Sequence, residues 1–177
     1  MIGNKTYNNV VNTLKNIGSQ HHQITTVTTG DIFDIDLAKN TKFPLMHINP
    51  VNVTTADFGL MYSFQIFIMD LVSEKDNWTV SNLQSANNLS NEQEVLSETL
   101  QISVDIISML SNGINQSITG VNDIDQPKYF IEGQQTLEPF TERFDNLLTG
   151  WVFSLDILVD NDYDACAAPA TQRGAGE

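Results

Sequence analysis

The sequence predicts a single α+β domain, a mixed and mainly antiparallel sheet with two helices packed on one face. Three observations predict it. Two segments repeat apolar residues at three- and four-residue spacing, the mark of a helix with one buried face. Several others alternate with period two or run apolar on both faces, as strands do. One of these strands keeps a wet face, which belongs to an antiparallel pairing, and helices laid on one side of such a sheet are an α+β layer arrangement. At 177 residues, the chain can bury roughly 70% of its unfolded surface in one core. No internal repeat and no Pro- or Gly-rich linker divides it. Residues 1–166 are read as the domain and 167–177, small and polar, as a flexible C-terminal tail.

The first helix is expected over residues 4–18, where Tyr7, Val10, Val11, Leu14 and Ile17 share a stripe and Gly18 is a plausible stop. The β-branched run Ile24 to Thr28, ending at Gly30, reads as a strand and turn. Asp31 to Leu37 alternates acid and apolar residues and fits either a half-buried strand or a helical turn. Phe43 to Val53 reads as an edge strand, because Pro44 and Pro50 cannot donate ladder hydrogen bonds.

Leu60 to Val72 carries Leu60, Tyr62, Phe64, Ile66 and Ile68 on one face and Met61, Ser63, Gln65, Phe67, Met69 and Leu71 on the other. Both faces are largely apolar. A central strand covered on both sides is expected, by helices or by a neighbouring subunit.

Residues 73–90 read as a polar loop. Ser90 to Gln93 forms a capping box that opens a helix from about Asn91 to Ser111. Its apolar face is Val95, Leu96, Leu100, Ile102, Ile106, Ile107 and Leu110, with Asn112-Gly113 as the stop. Residues 114–135 are weakly patterned and read as loop. Thr136 to Thr141 starts a hairpin whose return strand, Trp151 to Val159, turns Trp151, Phe153, Leu155, Ile157 and Val159 inward and Ser154 and Asp156 outward.

Charge bounds the function. The chain carries 22 acidic and 8 basic residues, a net charge of −14, with no cluster of three basic residues. Tight or sequence-specific DNA binding draws on Lys and Arg at phosphates, so it is excluded as an expectation. An acidic surface can still line a path along which DNA slides without sticking. Cys166 stands alone, which leaves no intrachain disulfide. The start of the chain lacks the apolar core of a signal peptide, and the apolar stretch at 60–72 is interrupted and too short for a bilayer. A cytoplasmic or particle-borne chain with no membrane contact is expected.

No catalytic, metal or cofactor site emerges. Asp160 to Asp164 imitates the opening of a calcium loop, but the sixth position is Ala165 and the twelfth Thr171, where a turn-forming Gly and a bidentate Glu belong. Asp31, Asp34 and Asp36 have no His or Cys at ligand spacing beside them, so a solvated alternation is the simpler account. His21 and His22 are adjacent, and His47 lies in the predicted edge strand. None has an evident nucleophile as partner. Two stretches are candidate interfaces instead: Met46, His47 and Ile48 on the edge strand, and Glu142, Arg143, Phe144 and Asp145 at the hairpin tip. The latter offers charge and an apolar anchor to a partner, although a solvated turn accounts for it equally.

Several segments in order carry a resemblance: Phe43 to Pro50, Phe67 to Val72, Glu92 to Ile102, Pro139 to Asp145, Gly150-Trp151, and then Cys166 and Pro169. The series resembles the small structural proteins that close the head-to-tail junction of tailed bacteriophages, of the tail-terminator or neck-ring kind. The resemblance implies an α+β virion subunit with no catalysis and no cofactor. It implies a ring of copies, commonly sixfold, contacts with adjacent neck and tail proteins, and a channel that DNA traverses without specific binding. It leaves the Asn-rich composition and the 73–90 loop unexplained. Two competing readings are a tail or baseplate adaptor or other binding module, and a metal-dependent hydrolase using the acidic clusters.

Overall fold

The computed structural model describes residues 7–31, 41–56, 59–72, 91–113, 129–143 and 148–160. In chain order these form α1 (Tyr7–Gln20), β1 (Thr26–Thr29), β2 (Leu45–Ala56), β3 (Gly59–Leu71), α2 (Glu92–Gly113), β4 (Tyr129–Glu132), β5 (Leu137–Arg143) and β6 (Leu148–Asp160). The strands make one six-stranded sheet in the order β1-β2-β3-β6-β4, with β5 also on β6. Only β1 and β2 run parallel; every other pairing is antiparallel. The α+β arrangement is therefore as expected, with both helices on one face of the sheet.

The main core lies between that face and the helices. The α1 stripe of Val10, Val11, Leu14 and Ile17 meets Met46 and Ile48 of β2 and the even-numbered face of β3 from Tyr62 to Ile68. Ile102, Ile106 and Leu110 of α2 join Phe153, Leu155, Ile157 and Val159 of β6 in the same cluster. At about 1.5–3 kcal/mol for each large side chain taken from water, this cluster dominates the stability. Gly18 lets α1 come down onto the sheet, because a Cβ there would stand 2.6 Å from the Met46 sulfur.

The buried face of α2 also contains Thr99 and Ser103. Their hydroxyls donate to the carbonyls of Val95 (2.6 Å) and Thr99 (2.7 Å), so neither is left unpaired against the sheet. The first backbone bond of the helix runs from Val95 N–H to the Asn91 carbonyl at 3.0 Å, and Ser90 of the expected capping box lies outside the described residues. Leu100 and Val104, on the outer side of α2, are exposed.

Two expectations are corrected. β2 is an edge strand only in its second half: Leu45 to Ile48 are held between β1 and β3, and from Asn49 on the pairing among the described residues is with β3 alone. The prolines bracket that enclosed stretch, Pro44 just before the strand and Pro50 beyond the last residue paired with β1. Within the expected 114–135 loop, Tyr129 to Glu132 form a strand on β6; residues 114–128 are outside the described set. The second face of β3 is also largely provided for inside the single chain. Phe67 and Met69 are buried with Leu45, Phe140 and Leu148, flanked by Phe43 and Val152, while Met61, Ser63 and Gln65 are half-buried. Leu71, on the same face, is exposed. The expected polar loop 73–90, the tail 167–177 and most of the Asp31 to Leu37 alternation lie outside the described residues.

Candidate functional site

Residues far apart in the sequence meet at one end of the sheet. Thr26, Leu45, Met69, Gly150 and Phe140 form a single row across β1, β2, β3, β6 and β5. Gly150 fits in this row because it has no side chain: a Cβ would stand 1.9 Å from the carbonyl oxygen of Ile68. On the helix-free face of the same row, the Phe140 ring meets Phe67 edge-on at 5.9 Å between centroids. Beside the glycine, Thr149 is buried and its hydroxyl donates to the Phe140 carbonyl at 2.8 Å. These contacts fix the root of the β5–β6 hairpin.

On the helix side of the same end, Trp151 donates its indole N–H to the Leu96 carbonyl at 2.8 Å. That bond ties the first turns of α2 to the sheet. Trp151 is half-buried and engaged in this contact, and Trp78 lies outside the described residues. Next to it, Asp70 is paired with Thr149 across β3 and β6. Burial holds the Asp70 carboxyl above the usual carboxylate range; the Leu71 N–H, donated at 2.7 Å, opposes this, and the Glu98 charge adds to it.

The hairpin-tip candidates divide. Glu142 and Arg143 close β5, Arg143 opposite Leu148, and Phe144 and Asp145 lie outside the described residues. The pair therefore leads directly from the buried row into the tip. The edge-strand candidates are relocated: Met46 and Ile48 are fully buried in the main core and His47 is 1% exposed. None of the three offers a surface to a partner in this chain.

His47 is a fastening between strands. Its Nε2 lies 3.1 Å from the Gly30 carbonyl, which can only accept, so Nε2 carries the proton. Nδ1 then accepts from the Thr28 hydroxyl at 2.8 Å. Burial pushes the His47 pKa down, with the Gly30 carbonyl and the Asp31 charge acting weakly the other way. His21, just past α1, approaches Asp105 of α2 at 3.4 Å, and His22 is exposed. Among the described residues, His21 and His22 meet no Ser, Thr or Cys side chain.

The helix-free face also holds a recess of about 410 Å³, lined among others by Gln65, Glu132, Glu138, Val152, Ser154 and Asp156. Asp156 accepts from the Ser63 hydroxyl. Among the described residues, no group of three His, Cys, Asp or Glu side chains is placed to hold a metal, and no helix is long and apolar enough to cross a membrane. Asp31 is exposed. Asp34, Asp36, Cys166 and the calcium-like run beyond Asp160 are outside the described set.

Sequence reasoning missed Gly150, Thr149 and Asp70 as members of this end. The one local signal was the Gly150-Trp151 pair at the mouth of an alternating strand, where a glycine marks close backbone approach. Compared with known protein families and with curated proteins, the chain matches none.

Proposed function

We propose that this chain is a structural subunit of a tailed-bacteriophage particle, a ring protein of the tail-terminator or neck kind at the head–tail junction. It carries no reaction. Copies surround a channel for DNA, and adjacent neck and tail proteins meet the ring above and below. The observation that carries the reading is the convergence just described. Phe43 to Pro50, the end of β3, the opening of α2, and the β5–β6 hairpin are the stretches that resemble that family, and the row through Leu45, Met69, Gly150 and Phe140 with the Trp151–Leu96 bond joins them into one built end. A net charge of −14 supports it further, because a negative lumen repels DNA and keeps it moving.

The β5–β6 hairpin, rooted in that rigid end and leading out through Glu142 and Arg143, is the docking element in this reading. Mass spectrometry of virions purified from the host that carries this sequence is expected to find the chain in stoichiometric amount, and labelling is expected to mark the collar in electron micrographs. Subunit contacts above about 1,000 Å² are expected in the assembled ring. Absence from the particle overturns the proposal.

A further inference from the structure

The strand β2 has two unlike halves. Leu45 to Ile48 is enclosed by β1 and β3, but from Asn49 to Ala56 the only pairing among the described residues is with β3. Residues 51–55 are exposed, with Val51 at 53% and Val53 at 50%. Among the described residues, no element packs on either face of this half and no strand pairs with its outer edge.

The other edges of the sheet are blunted. β1 is four residues long. The opposite edge is broken between β4 and β5 at Gly133, which has a φ of 78°. It carries exposed Glu132 and Glu138, and Pro139 has no N–H to offer. Beyond Pro50, the outer half of β2 shows none of these devices. Its run Val51-Asn52-Val53-Thr54-Thr55-Ala56 is rich in β-branched residues that favour strand pairing.

Charge selects the occupant. Two copies of a chain with net charge −14 repel each other unless they meet at an uncharged surface. A two-fold contact is the strictest case, because each residue near the axis faces its own image. Asn49 to Ala56 contains no Asp, Glu, Lys or Arg. We propose that the outer half of β2, residues 51–56, is the docking edge for a second copy of this chain, the two strands pairing antiparallel about a two-fold axis normal to the sheet.

The axis makes the two sheets continuous and keeps both helix-covered faces on one side. Val53 pairs with Tyr62 within the chain, and Tyr7, 43% exposed, stands on the other side of Tyr62 at 6.4 Å between ring centroids. The second copy brings its own Val53 to the same face, where this apolar shoulder lies. The bulge between Pro50 and Asn52 sets the inner limit of the joint. The inference does not rest on the ring reading, since an isologous contact closes on itself and a ring is built through other surfaces.

Sedimentation velocity on the full chain between about 1 µM and 1 mM covers the range expected of a short strand pair. A monomer–dimer equilibrium is expected, and amide exchange of residues 51–56 slows as the dimer fills. V51K/V53K places two lysines on side chains already in water. Its melting temperature, taken at monomeric concentration, is expected to stay unchanged while dimerisation weakens by about tenfold or more. Added lysines reduce the overall repulsion between copies, so weakening cannot come from net charge. A chain monomeric throughout, a dimer indifferent to V51K/V53K, or exchange at 51–56 that ignores concentration overturns the proposal. A larger assembly that survives V51K/V53K overturns it too, and leaves the ring reading standing.

Discussion

Gly150 and Ile68 approach more closely than any side chain permits. A Cβ on Gly150 would lie 1.9 Å from the Ile68 carbonyl oxygen and 2.9 Å from the Met69 Cα. Both obstacles are backbone in the centre of a sheet, so no rotamer change relieves them. Gly150→Ala is expected to force β6 away from β3 at the end where the hairpin is rooted, at a cost of roughly 3 kcal/mol. For a chain of this size that lowers the melting temperature by roughly 6–12 °C. A calorimetric loss below about 1 kcal/mol would mean that the two strands separate there freely.

The bond from the Trp151 indole to the Leu96 carbonyl, 2.8 Å, is the polar link between β6 and the start of α2. Trp151→Phe keeps an aromatic ring and removes the donor. The expected loss in urea denaturation is about 1–2 kcal/mol, one hydrogen bond and some packing. Amide exchange should accelerate in the first turns of α2 and leave Ile106 to Leu110 unaffected. Uniform acceleration along the helix would rule out a local tie.

How much of this was legible depends on distance along the chain. The α1 stripe, the doubly apolar β3 and the alternating β6 are local patterns, and each element forms within a few residues of where its period predicts. Edge status is not local. Pro44 and Pro50 are real obstacles to pairing, but they flank the four residues that β1 occupies, and the sequence near residue 45 does not say that Thr26 to Thr29 will lie beside it. The strand at Tyr129 to Glu132 is too short to show a period, and it is held by its pairing with β6. Thr99 and Ser103 look like surface residues, yet they are buried because their hydroxyls bond to their own helix. The row through Leu45, Met69, Gly150 and Phe140 joins residues up to 105 positions apart, and no spacing rule connects them.

Asp70 is a carboxylate held where its charge is unwelcome. Burial raises its pKa, Glu98 raises it further, and the Leu71 N–H only partly compensates. The native state therefore holds the Asp70 proton more tightly than the unfolded chain does. Between the ordinary carboxylate range and the raised value, stability falls as pH rises, and above the raised value the penalty is fully present. Asp70→Asn keeps an oxygen for Leu71 and removes the charge. It is expected to stabilise the chain by about 0.2–1 kcal/mol at pH 7, the group being partly solvated. The gain should vanish below about pH 4, where the wild-type carboxyl is neutral as well. Destabilisation at pH 7, measured by urea titration, would contradict the assignment.

His47 reverses that sign. It is buried as the neutral tautomer, its Nε2 proton on the Gly30 carbonyl and its Nδ1 accepting from Thr28. Burial places its native pKa below the ordinary value, so on acidification the unfolded chain takes up a proton first, from about pH 6.5 downward. In that window the unfolded state binds more protons, and stability rises with pH. His47→Gln removes the titration and, by disturbing two buried bonds, is expected to cost about 1–3 kcal/mol at pH 7.5. As pH falls toward 5, wild type loses stability through His47 and the variant does not, so the gap between them narrows. A gap that stays constant or widens between pH 7.5 and 5 would mean that His47 is charged in the fold, and that the Gly30 carbonyl and Asp31 outweigh its burial.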